Sequence, residues 1–237
     1  MRKNNKNKKV LLICIVLIVN VAALTLISTF QKTKIIYKNK IVYKEKKTID
    51  EHKIKVEENI VFLGDSITDY YPIKSIYGDL PIVNSGVAGY TTEDILDRMD
   101  TMVYQYNPTS VYLLIGTNDI MYEDKSNDVV ENIKKIVDNI KKNRNQTEIN
   151  ILSLYPVNKT INESLVRKRD NSIIKKINSS IKSYCKKNNI KYINMYDELT
   201  DENDNFSNKY TSDGLHPNDM GYAKISTILL PYIYGLK

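Results

Sequence analysis

Asn59-Ile60-Val61-Phe62-Leu63-Gly64-Asp65-Ser66-Ile67-Thr68 is the stretch whose reading decides the fold. An apolar run ending at a glycine has the pattern of a buried strand. Ser66, one residue past the strand-ending Gly-Asp, is then placed to open a helix. Its hydroxyl faces a cleft at the carboxyl end of a sheet, where open α/β folds bind ligands. Its backbone N–H is free as well, because the first N–H groups of a helix have no internal partner. One residue can thus supply a nucleophile and an oxyanion donor. A plain N-cap serine is the competing reading of Gly-Asp-Ser taken alone.

Outward from this stretch, strand-like runs recur at 81–83, 110–115, 149–154 and 190–194. Helical apolar spacing fills the gaps. It covers 92–106 (Ile95, Met99, Met102), 127–143 (Val129, Ile133, Ile136, Ile140), 164–187 (Ile173, Ile177, Ile181) and 218–232. Alternating strands and helices with apolar strands predict an α/β domain. Its mostly parallel, five-stranded sheet carries helices on both faces, in three layers of flavodoxin-like type. About 180 residues, 58–237, suffice for one such domain with a real core.

Three further strings fall just after a predicted strand or before a predicted helix. In Asp213-Gly214-Leu215-His216-Pro217, His216 is the general-base candidate for a serine nucleophile. The chain has two histidines, and His52 precedes the predicted domain. Asp213 can reach the His216 ring and fix its tautomer, whereas a lone histidine here would read as an idle turn residue. In Gly116-Thr117-Asn118-Asp119, Asn118 is an amide donor at a strand end, suited to a tetrahedral oxyanion. An Asx turn is the plainer alternative, and Asp119 is expected to have a structural role of that kind. In Gly86-Val87-Ala88-Gly89-Tyr90-Thr91-Thr92, Gly89 lies just before a helix start and can offer a backbone N–H.

Together and in this order, the four strings resemble the SGNH (GDSL-type) hydrolase family over roughly residues 59–234. The resemblance implies Ser66 as nucleophile, Asp213 and His216 as its partners, and Ser66, Gly89 and Asn118 as the oxyanion hole. Tyr90 departs from it, since many members carry a small or acidic residue after the glycine. The family includes esterases, lysophospholipases, thioesterases and carbohydrate acetylesterases, so the substrate stays open. The G-x-S-x-G string of the ordinary α/β-hydrolases is absent.

The N-terminal fifth bears on location. Residues 1–9 carry Arg2, Lys3, Lys6, Lys8 and Lys9, and residues 10–30 are 21 positions without a charge. About 20 apolar residues span a bilayer, whereas secretory h-regions are shorter. The expectation is a cytoplasmic basic tail (1–9), an uncleaved transmembrane signal anchor (10–30) and a lysine-rich stalk (31–57), with the domain outside the cell membrane. Residues 1–57 hold 14 Lys+Arg against 4 Asp+Glu, and residues 58–237 hold 21 against 24. The overall charge of +7 therefore belongs to the tail and stalk. That argues against a nucleic-acid partner for the domain, which would need its own basic face.

No cluster with zinc spacing and no phosphate-binding glycine loop occurs, so no cofactor or metal is expected. Cys185 follows Ile177, Ile181 and Tyr184 on a helical face and reads as a packed thiol. Of the 18 tyrosines, Tyr70, Tyr71 and Tyr90 flank the predicted site. The expected function is a membrane-anchored, extracytoplasmic serine esterase acting on acyl esters of envelope glycans or lipids. The alternatives are an acyltransferase that modifies envelope glycans and, from another class, a non-catalytic surface binding domain.

Overall fold

The computed structural model describes residues 59–237. The expected tail, membrane anchor and stalk, with Cys14 and His52, lie outside the described residues. Among the described residues no helix is long and apolar enough to cross a membrane.

Five strands form one parallel sheet: β1 Ile60–Gly64, β2 Ile82–Gly86, β3 Ser110–Leu114, β4 Glu148–Leu152 and β5 Lys191–Ile193. Their order is β2-β1-β3-β4-β5, with every neighbouring pair parallel. The central strands β1 and β3 are buried at all five positions, which explains their unbroken apolar sequences. β2 is an edge strand and half exposed.

The helices are α1 Ser66–Asp69, α2 Ile73–Tyr77, α3 Thr92–Asp97, α4 Met99–Met102, α5 Ser126–Asn143, α6 Glu163–Val166, α7 Asn171–Lys187, α8 Tyr196–Leu199 and α9 Asp219–Ile233. One face of the sheet carries α1, α2 and α9. There Phe62 meets Tyr71, Tyr77 and Tyr112 at centroid distances of 5.7, 6.0 and 5.2 Å. Tyr222 of α9 stacks on Tyr71 at 4.9 Å and donates its hydroxyl to Ile67 O. The opposite face carries α3, α4, α5 and α7. Its α5 stripe of Val129, Ile133, Ile136, Val137 and Ile140 is buried, as the 3.6-residue period requires. Each such side chain is worth about 1.5–3 kcal/mol of burial. Cys185 is buried on α7, where lack of solvation pushes its thiol up to about 11.

Two predicted helices are broken. The 92–106 pattern divides into α3, α4 and a 3-10 turn, with non-helical backbone at Arg98 and Val103. The 164–187 pattern divides into α6 and α7. Arg167 takes a φ of 58° between them, and Asp170 then caps the new helix by accepting from Ser172 N. Apolar spacing runs through the first break, so the periodicity conceals it; the second lies ahead of Ile173, where the apolar stripe of that pattern begins.

β1 and β3 are neighbours whose outgoing connections diverge, which makes a crevice at their carboxyl ends. Ser66 follows β1 and Asn118 follows β3 at that crevice.

Candidate active site

Ser66 is the first residue of α1, and Asp65 caps it by accepting from Ile67 N at 3.0 Å. Gly64 leaves no room for a side chain. A Cβ there would lie 2.3 Å from Leu114 O, so the turn into Ser66 stays pressed against β3. The Ser66 hydroxyl donates to His216 Nε2 at 3.0 Å. Asp213 Oδ2 accepts from His216 Nδ1–H at 2.8 Å, the tautomer that leaves Nε2 free to receive a proton.

The Asp213–His216 turn is braced from within. Asp213 Oδ1 accepts from Leu215 N at 2.8 Å and from His216 N at 2.7 Å. Burial raises the Asp213 carboxyl, but its bonds from His216 and Leu215 prevail and hold it below its usual range. Thr211 Oγ1 donates to His216 O and accepts from Gly214 N. Gly214 has a φ of 81°, and a Cβ on it would meet Asn158 O at 2.2 Å, so only glycine fits. The Tyr70 ring, half exposed, lies 5.3 Å from the imidazole.

On the other side of the serine, Gly89 has a φ of 85° and open space where a side chain would project. Among the described residues neither the Ser66 nor the Gly89 N–H has an acceptor. Asn118 Nδ2 donates to Tyr90 O at 3.0 Å, which spends one of its two N–H groups. Gly89 and Asn118 share the wall of a cavity of about 330 Å³, with Glu93, Asp119, Tyr122 and Lys125 also on it. Asp119 joins the two loops by accepting from Thr92 N and Thr92 Oγ1–H. Thr92 Oγ1 in turn accepts from Asn132 Nδ2 at 3.0 Å. Burial pushes Asp119 above the usual carboxylate range, and the Thr92 bonds pull against it.

Ser66 and His216 meet at this crevice and Gly89 and Asn118 share the wall of the cavity, but one expectation needs correction. Tyr71 does not flank the site; it is buried in the aromatic cluster under β1, its hydroxyl bonded to that of Tyr77. The sequence reading also missed the braces Thr92, Thr211 and, most of all, Arg169. Arg169 is 2% exposed and donates Nη2–H to Asn118 Oδ1 at 2.8 Å. The Asp170 N-cap at the start of α7 was the available signal that the helix began after it.

The profile of the GDSL-like Lipase/Acylhydrolase family matches residues 62–224, most of the described domain. The chain belongs to that family. It is the family that the four strings resemble, the GDSL-type (SGNH) hydrolases. The structure of this chain is similar to one described as a platelet activating factor from Streptococcus pneumonia, with a TM-score of 0.71 and 30% identity over 89% of this chain and 99% of that one. It also resembles a GDSL-like lipase from Bacteroides thetaiotaomicron (TM-score 0.67, 24% identity, 75% of this chain and 88% of that one). A catalytic mutant of an acetylxylan esterase from Geobacillus stearothermophilus shares the fold at a TM-score of 0.59 and 19% identity, over 76% and 96% of the two chains. Among curated sequences, an N-acylneuraminate cytidylyltransferase from Escherichia coli O18:K1:H7 is 32% identical over 168 residues. Those residues are 70% of this chain but 38% of that protein, so this GDSL hydrolase spans well under half of the relative's length.

Proposed function

We propose that this hydrolase is a membrane-anchored, extracytoplasmic serine esterase that cleaves short acyl esters through Ser66, His216 and Asp213. The observation that carries the reading is the continuous relay from Ser66 Oγ through the His216 ring to Asp213, at 3.0 and 2.8 Å. Ser66 Oγ attacks the ester carbonyl carbon as His216 Nε2 takes its proton. Asp213 holds the ring in place and stabilises the imidazolium that forms. The Ser66 N–H, the Gly89 N–H and the second Asn118 amide N–H receive the carbonyl oxygen as it becomes an oxyanion. His216 then protonates the leaving alcohol. Water enters with His216 as base, and the acid departs with Ser66 restored.

The cavity beside Gly89 and Asn118 supports a small or hydrophilic substrate. Carboxylates, amides and one lysine supply most of its lining side chains, partners for the hydroxyls of a small acylated alcohol or sugar, although Ser66 and His216 are not among them. Anchoring and an outward location rest on the uncharged residues 10–30 behind a basic N-terminus and on the confinement of the net positive charge to residues 1–57.

The test is hydrolysis of p-nitrophenyl acetate and its longer-chain homologues by the full chain in detergent, with and without a glycan acceptor. The proposal expects turnover that declines with chain length and yields free acid. Acyl transfer to the glycan would make the protein an acyltransferase. No turnover of any short ester by folded protein would favour a binding module.

A further inference from the structure

Arg169 is among the largest side chains fully buried in the domain, and its position is unusual for a buried charge. Among the described residues it forms no ion pair with a carboxylate. Its Nε–H donates to Thr117 O at 2.8 Å, and Nη1 donates to Leu165 O and Val166 O at 3.1 and 3.3 Å. Those carbonyls lie in the turn before Asn118 and at the end of α6. The remaining contact is Nη2–H to Asn118 Oδ1 at 2.8 Å. The buried Asp65 carboxyl offsets part of the cost of burying this charge but does not contact the guanidinium, so its donors should reveal what holds it there. Closing the end of α6 accounts for Nη1 and leaves Nη2 unexplained.

The two neighbours of the Asn118 amide settle its orientation chemically. A guanidinium has only donors, so it must face Oδ1. The Tyr90 carbonyl has only acceptors, so it must face Nδ2. The amide can therefore sit one way round. One Nδ2–H is held by Tyr90 O, and the other is left for a ligand in the cavity that Asn118 lines. The positive charge behind Oδ1 polarises the amide and makes that N–H a stronger donor. The backbone reinforces the arrangement. Lys168 N donates to Met121 O, and Met121 N donates to Asn118 O, so the 167–170 link is bonded to the Asn118 turn.

We propose that Arg169 is the positioning residue for the oxyanion donor: it fixes and polarises the Asn118 amide so that Nδ2–H faces the developing negative charge. The proposal rests on the serine esterase reading. The test is a double-mutant cycle on short-ester hydrolysis by the full chain, with thermal unfolding followed for each variant. Arg169→Met should lower kcat roughly 10- to 100-fold, less than deleting the donor outright, with KM changed less than about threefold. Arg169→Lys keeps the charge and should recover part of that loss. In the Asn118→Ala background the same substitutions should change kcat by less than about twofold, because no amide remains to orient. If Arg169→Met does not fold, Arg169→Lys carries the same cycle.

Losses that multiply in the Asn118→Ala background, or an effect confined to KM, would overturn the proposal while leaving the esterase reading intact. Full activity in Asn118→Ala would overturn the proposal and the place of Asn118 in the oxyanion hole, whereas unchanged turnover in Ser66→Ala is what would overturn the esterase reading.

Discussion

The turn that carries His216 and the turn that carries Asn118 are held in opposite ways. Around His216 the braces come from within five residues: Asp213 binds the His216 ring and two backbone N–H groups, and Thr211 closes the loop. Around Asn118 they come from far along the chain. Tyr90 lies 28 residues away, Arg169 lies 51 residues away, and Thr92 reaches Asp119 across 27. The proton-transfer side of the site is thus braced mainly within its own turn, with Asn158 N donating to Gly214 O from farther along the chain. The oxyanion side is assembled by the fold, so it should be more sensitive to substitutions at a distance.

The comparison can be broken first on the local side. Asp213→Asn should reduce kcat by about 10³–10⁴, because the ring loses the carboxylate that selects its tautomer. Steady-state kinetics check this, and a loss below tenfold would mean the turn holds His216 without its carboxylate. On the distant side, Asn118→Ala should lower kcat about 10²–10³ with little change in KM. A change in KM alone would assign Asn118 to ground-state binding.

A smaller effect sharpens the contrast. Thr92→Val leaves Asp119 and Asn132 each short of a partner, at a cost of about 1–3 kcal/mol in urea unfolding and roughly tenfold or less in kcat. Unchanged stability would show that the clamp between the loops carries little.

What the sequence made legible follows the same division. The four strings lie within short segments, three of them at strand-to-helix turns and the fourth just before α9. They placed Ser66, Gly89, Asn118, Asp213 and His216 at one rim. The central strands were equally plain, because burial on both faces leaves β1 and β3 continuously apolar. Arg169 was not legible, for a physical reason. The predicted helix over 164–187 took in the break at Arg167, although its apolar stripe begins at Ile173, so nothing in the pattern marked Arg169 as a residue buried in a bend. Thr92 was hidden likewise, since its role depends on Asp119 and Asn132, which only the packing of α3 on α5 brings near. Tyr71 failed in reverse: closeness in sequence to Ser66 suggested the site, but the chain turns it under the sheet.

Asp65, next to the serine, gives an effect visible only through pH. It is 1% exposed, and its Oδ2 has no partner among the described residues. Burial pushes its carboxyl from 3.8 up to about 7, against the Ile67 N–H bond and the Arg169 charge. A raised folded-state value means that the native state favours the neutral acid. That stabilisation is full below about pH 4 and is lost as pH rises through about 7. Unfolding free energies should therefore fall between pH 4 and 7 in the wild type relative to Asp65→Asn, by about 4 kcal/mol at most. Parallel pH curves for the two proteins would show that Asp65 does not titrate there.

Labelling with a fluorophosphonate, followed by peptide mass spectrometry, tests the central claim most directly. The relay from Asp213 through His216 to Ser66 predicts a single adduct, on the peptide containing Ser66, formed in step with loss of esterase activity. In His216→Ala the adduct should be nearly absent, and in Ser66→Ala both adduct and turnover should vanish while thermal unfolding is unchanged. An adduct on another serine that tracks inactivation, or near wild-type turnover by Ser66→Ala, would contradict the account.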